Sequence, residues 1–147
     1  MTISCPWLAV VQGTTTCYVC KARVPVVAIA APPEARVDGD YPLGEHGWLG
    51  LSELESLPDA IMEEMRAWAP GFRADENFTA GIAYLMNHCG CGAKLGDHYL
   101  HSEPDGPFFG METAGLKANI VDRALVVGAS YSEGALAEWL SANVKRD

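Results

Sequence analysis

"TTTCYVCKARVPVVAIA", residues 14–30, places Cys17 and Cys20 in a C-x2-C pair and follows them with a β-branched run. Pro25 and the valines and isoleucine around it favour an extended strand over a helix. The pair therefore sits in a turn that leads into a strand. It lacks the helix N-terminus that would activate a redox C-x-x-C. A second pair, Cys89 and Cys91, stands in "YLMNHCGCGAKLGD", residues 84–97, again just after a short apolar run. Two short-spaced pairs a long way apart in sequence are what close a four-sulfur tetrahedron around zinc. Each half reads as the strand, turn, strand unit of a zinc ribbon, with "WLAVVQG" and "GIAYLM" preceding the two turns. Gly90 and Gly92 let the second turn tighten and offer backbone N–H groups to the thiolates.

The second pair is C-x-C-G where a conventional knuckle is C-x2-C-G. Two ligand sets follow. Either Cys17, Cys20, Cys89 and Cys91 all ligate through a tighter turn, or His88 and Cys91 form the second half with Cys89 left outside. Four sulfurs are favoured, because thiolate is the stronger zinc ligand. Cys5 is the odd thiol of five and reads as a small buried hydrophobe. An odd count also rules out a disulfide framework that uses them all.

"CYVCKARVPVVAIA" together with "NHCGCGAKLGDHYLHSEPDGPFFG" resembles a family of uncharacterised bacterial zinc-ribbon-like proteins. In these a first Cys pair leads into a Pro-Val-Val-Ala strand. A later Cys-x-x-Cys-Gly-Ala runs into Gly-Asp, an aromatic stretch and Glu-Pro-x-Gly-Pro-Phe. The likeness rests on Cys17, Cys20, Cys91, Gly92, Gly96, Asp97, Glu103, Pro104 and the "GPFF" at 106–109, across about a third of the chain. It departs at the shortened second pair. The resemblance implies a metal-bearing scaffold and carries no activity with it.

The chain has 147 residues, 49% hydrophobic and 20% charged, enough for one respectable core in a single domain. The expected class is α+β: a zinc-ribbon-like antiparallel sheet from 1–30 and 78–128, an acidic helical insertion at 31–77, and a C-terminal helix over 130–145. "APPEARVDGDYPLGEHG" (31–47) reads as a loop. In "SLPDAIMEEMRAWAPG" (56–71), Ser56 is the expected N-cap, Leu57, Ile61, Met65 and Trp68 share one face, and Pro70-Gly71 ends the helix. Ser130 and Glu133 make a capping-box pattern for the last helix, whose apolar positions are Leu136, Trp139, Leu140 and Val144. "ANIVDRALVVGAS" before it suggests a strand, and "GPFFG" a turn with Phe108 and Phe109 in the core. No run approaches the roughly 18 apolar residues of a membrane span, and the start lacks the pattern of a secretory signal. A soluble, cytoplasmic protein is expected.

Charge is uneven. Residues 34–76 hold eleven of the nineteen acids against three arginines, so nearly all of the formal net charge of −9 falls there. Nucleic-acid binding, which needs lysine and arginine against phosphates, is disfavoured. Asp97, His98, His101 and Glu103 are candidates for a second metal site or a general base. Against this, a strand would turn the two histidines to opposite faces, and no H-E-x-x-H, nucleophile triad or phosphate loop is present. A zinc held by four cysteines also lacks the open position of a catalytic metal. The expectation is a non-catalytic, zinc-stabilised module that binds another protein, an inhibitor or immunity-type protein if the partner is basic. A thiol-redox or metal-dependent hydrolytic enzyme and a purely structural accessory domain are the alternatives. Trp48, within "LGEHGWLGL", is either an aromatic anchor in an acidic rim or part of the core.

Overall fold

A computed structural model describes residues 1–38, 41–42, 47–77, 81–96, 100, 107–108, 115–132 and 134–144. In chain order the elements are β1 (Thr2–Cys5), β2 (Leu8–Thr16), β3 (Arg23–Ala31), β4 (Arg36–Val37), β5 (Tyr41–Pro42), β6 (Leu49–Ser52), α1 (Asp59–Trp68), β7 (Arg73–Asn77), β8 (Ile82–His88), β9 (Lys94–Leu95), β10 (Lys117–Val121), β11 (Leu125–Gly128), β12 (Ser130–Ser132) and α2 (Ala135–Asn143). Among the described residues all strand pairings are antiparallel, so the mixed α+β class holds. The strands form sheets ordered β11-β1-β4-β5, β10-β2-β3-β6-β12 and β7-β8-β9. Among the described residues no helix is long and apolar enough to cross a membrane.

The first two sheets are joined into a ring. Residues 117–132 run along one edge of the five-stranded sheet as β10 on β2, cross to pair with β1 as β11, and return to the opposite edge as β12 on β6. The ladder crosses between sheets by a bulge. Between the pairs Cys5↔Leu125 and Leu8↔Val121, two residues, Pro6 and Trp7, face three, Asp122, Arg123 and Ala124. An extra residue on one strand bends it and increases its twist, which is how a strand turns the corner from one sheet to the next. "ANIVDRALVVGAS" is thus two strands in different sheets, and Ser130–Ser132 is a third.

Burial on both faces explains why "VPVVAIAA" shows no alternation. Leu8, Val10, Val27 and Ile29 point into one apolar cluster with Ile61 and Met65 of α1. Ala9, Val11, Val26, Ala28 and Ala30 point into a second with Leu136 and Leu140 of α2. A strand covered on both sides reads as a continuous apolar run, as it does in sheets sandwiched by helices. Trp48 is core: it is 5% exposed and meets the Trp7 ring edge-on at a centroid separation of 5.3 Å.

Several local expectations are corrected. The first helix begins at Asp59 behind Pro58, with no side-chain cap, and the carbonyl of Pro58 accepts the N–H groups of Ile61 and Met62. A residue preceding proline is pushed out of the helical region, so Leu57 cannot join the helix and Ser56 is too early to cap it. Of the expected apolar face, Ile61 and Met65 are buried and Trp68 packs against their cluster from the helix, while Leu57 packs there from outside it. The second helix begins at Ala135 behind Gly134 (φ +145°), because the ladder to β6 claims Ser130–Ser132. Glu133 and Phe109 lie outside the described residues, and Phe108 is buried. Within 31–77, β4 pairs with β1, β6 with β3 and β12, and β7 with β8, so the strands of the acidic stretch are built into the common sheets.

Candidate metal centre

Cys17 and Cys20 lie in the turn between β2 and β3, Cys89 and Cys91 in the turn between β8 and β9. Each turn presents one buried and one exposed cysteine, Cys17 with Cys20 and Cys89 with Cys91. The four Sγ atoms all lie within 4.8 Å of one another, an arrangement that could hold a metal ion. Cys17 Sγ is 3.7 Å from Cys91 Sγ, and Cys20 Sγ is 3.5 Å from Cys89 Sγ. Tetrahedral zinc with bonds of about 2.3 Å puts its sulfurs about 3.8 Å apart. The donor set and the spacing both fit such an ion.

The shortened second pair is accommodated by removing one residue between the cysteines and changing nothing after them. In the first turn Cys17 N–H donates to Ala22 O and Lys21 N–H to Cys17 O. In the second Cys89 N–H donates to Ala93 O and Gly92 N–H to Cys89 O, each reaching one residue less. In both turns the residue after the second cysteine is left-handed, Lys21 at φ +66° and Gly92 at φ +94°. Gly92 is therefore the glycine that the backbone demands. Gly90 has no positive φ, and a β-carbon there would meet nothing.

The thiols do not ionise alike. The backbone N–H of Cys20, with help from Val19 N–H 3.4 Å from the sulfur and from the Cys89 and Cys91 thiols, pulls Cys17 down to about 6 against the effect of burial. Cys89 also receives a backbone N–H, that of Cys91, but burial and the neighbouring Cys20, Cys91 and Cys17 side chains push it up to about 12. Four sulfurs this close share their protons as a unit, and only a cation lets all four be thiolates together. The N–H groups that serve the sulfurs come from Val19 and the second cysteine of each turn rather than from the glycines. Cys5 sits apart in the core, 3% exposed and raised to about 12 by burial.

His88 is not among the grouped donors. Its Nδ1 lies 2.8 Å from Gly71 O and 3.1 Å from Met86 O, and its Nε2 lies 2.8 Å from Asp75 Oδ2. Both ring nitrogens are thus taken by oxygens. Asp75 also meets Lys94 Nζ at 3.2 Å, and His88 and Lys94 are the ladder pair on which the second turn stands. One carboxylate from β7 therefore holds both feet of that turn. The His88 hydrogen bond first, then the Glu76 N–H and Lys94, lower Asp75 to about 2. The approach of Gly71 to His88 needs a glycine, since a β-carbon would collide with the His88 carbonyl.

Asn87, the residue before His88, ties this unit to the main sheet. Its side-chain amide donates to Val27 O at 3.0 Å and its carbonyl accepts Val27 N–H at 2.9 Å, so the side chain replaces a strand neighbour. The ladder alternation that turns the backbone N–H and C=O of Val27 away from β2 turns the backbone of Pro25 the same way. Its missing N–H then falls on the edge of β3 beyond the reach of β6. Neither Asn87 nor the Trp68 Nε1 hydrogen bond to Gly13 O (3.0 Å) was legible in advance. The available signal was a lone Asn in the strand-like run "YLMNH", a residue type that strands usually exclude. Asp97, His98, His101 and Glu103 lie outside the described residues.

No protein-family model matches the chain, and no curated protein or solved structure is significantly similar to it.

Proposed function

We propose that the protein is a non-catalytic binding module for another protein, stabilised by a zinc ion on Cys17, Cys20, Cys89 and Cys91. The observation that carries the metal part of this reading is the four-sulfur cluster at the tips of two hairpins from separate sheets. Four protein sulfurs complete a tetrahedral ion and leave no position for a substrate or an activated water. Zinc is preferred over other ions because thiolate donors in tetrahedral spacing suit it.

The partner face we assign is the acidic one. Glu53, Glu55, Asp59, Glu63 and Glu64 are all exposed, with Arg66 the one base on that helix. A basic protein fits that surface, and an immunity-type or inhibitory role is the reading of such a pairing. Trp48 takes no part in it, being core. The test uses the chain with Glu53, Glu55, Glu63 and Glu64 changed to lysine. Elemental analysis should return one zinc per chain in parent and variant. A basic partner captured by the parent should be lost by the variant, and its association with the parent should slow as salt rises. A variant that keeps its zinc and binds with unaltered rate and salt dependence removes this face from the function.

A further inference from the structure

The pairing of the sulfurs is crossed. Within a cluster whose sulfurs all lie within 4.8 Å of one another, the exposed cysteine of each turn approaches the buried cysteine of the other, Cys91 to 3.7 Å from Cys17 and Cys20 to 3.5 Å from Cys89. Solvent reaches Cys20 and Cys91 directly, and a cleft of about 430 Å³ opens beside Cys89, Gly90 and Gly92. We propose that the cluster is also a reversible oxidation site for peroxides, at which the disulfides Cys17–Cys91 and Cys20–Cys89 replace the metal ion. This rests on the metal-binding reading above and adds a regulation to the same four residues.

The chemistry balances as follows. The Cys91 thiolate attacks one peroxide oxygen, the O–O bond breaks, and the departing hydroxide takes a proton to become water. Cys91 is then a sulfenic acid. The Cys17 thiolate, 3.7 Å away, attacks that sulfur; the S–S bond forms, the S–O bond breaks, and the second hydroxide leaves as water with a second proton. Two thiolates have lost two electrons and one peroxide has been reduced to two waters. Cys20 and Cys89 repeat the sequence with a second peroxide, and the metal, stripped of ligands, departs. A bond within the second turn would have to join cysteines separated by a single residue, inside the tight turn that the Gly92 N–H to Cys89 O hydrogen bond closes. The crossed bonds make no such demand, and they keep the two hairpins tied after the metal has gone.

The experiment treats the zinc-loaded protein with hydrogen peroxide. Zinc release is followed with a chromogenic chelator, thiols are titrated, and the disulfides are mapped by peptide mass spectrometry. Expected are complete loss of zinc, about two peroxides consumed per zinc, and peptides joining Cys17 to Cys91 and Cys20 to Cys89. Dithiothreitol with added zinc should restore the original metal content. Sulfinic or sulfonic products, disulfides within a turn, or retained zinc would overturn the proposal. If the reduced protein binds no zinc, the metal reading fails by itself. The same disulfide map on that metal-free chain then still decides the crossed pairing.

Discussion

Asn87 is 1% exposed and stands in for a missing strand along the middle of β3. Replacing it with leucine keeps the bulk but strands the N–H and C=O of Val27 in the interior. Each such group costs about 1–3 kcal/mol, so Asn87→Leu is expected to lose on the order of 2–6 kcal/mol in urea unfolding. A loss below about 1 kcal/mol would mean that water reaches those groups. Lys21 presents the opposite case, a residue whose replacement should help. It holds the left-handed position that glycine fills in the second turn, at a strain of about 1–2 kcal/mol for a residue with a β-carbon. Its ammonium returns only an exposed hydrogen bond to Tyr18 O. Lys21→Gly should therefore raise the melting temperature; a fall would show that the hydrogen bond to Tyr18 O outweighs the strain.

At the scale of elements, Asp75 binds β7 to both strands beneath the second cysteine turn. Its carboxyl is lowered to about 2 in the fold from an ordinary 3.8, so the folded state favours the charged form. Stability from this group is fully present above the unfolded value and is lost as pH falls through the folded one. The urea midpoints of wild type and Asp75→Asn should differ near neutrality and converge as pH drops from about 4 to about 2. A difference independent of pH would assign Asp75 a packing role. This clamp marks where sequence stops informing. The cysteine pairs, their hairpin turns and the buried side of α1 follow from local spacing and periodicity. The carboxylate that steadies His88 and Lys94 comes from another strand, and nothing near Asp75 marks it. The same limit hides the start of the second helix. Pro58 excludes Leu57 locally, but only the pairing of Ser130–Ser132 with β6 shows why the capping pattern at Ser130 goes unused.

For the whole molecule, the metal is expected to be a main support of the fold. Structural zinc contributes about 10–16 kcal/mol of apparent binding free energy in small peptides, comparable with or above the 5–15 kcal/mol that holds a typical domain. Chelation should lower the melting temperature by tens of degrees or melt the protein outright, and Cys17→Ser or Cys20→Ser should do the same without chelator. Cys89→Ser should release zinc while His88→Ala retains it, because the His88 ring is spent on Gly71, Met86 and Asp75. A metal-free chain that melts unchanged would make the four sulfurs a bystander cluster.

The ring of strands also fixes an order of assembly. Its closing segment pairs with β1 and β2 across separations of 105 to 126 residues, contacts among the slowest for a chain to find. As the ribosome delivers the polypeptide, β2, β3 and β6 can form while both edges of their sheet still wait for residues 117–132. Both cysteine turns have been synthesised by then, since the second ends at Ala93. An ion captured at that stage would pin two hairpins together ahead of the last strands, and would shorten the time for which sticky, unpaired edges stay exposed in the nascent protein.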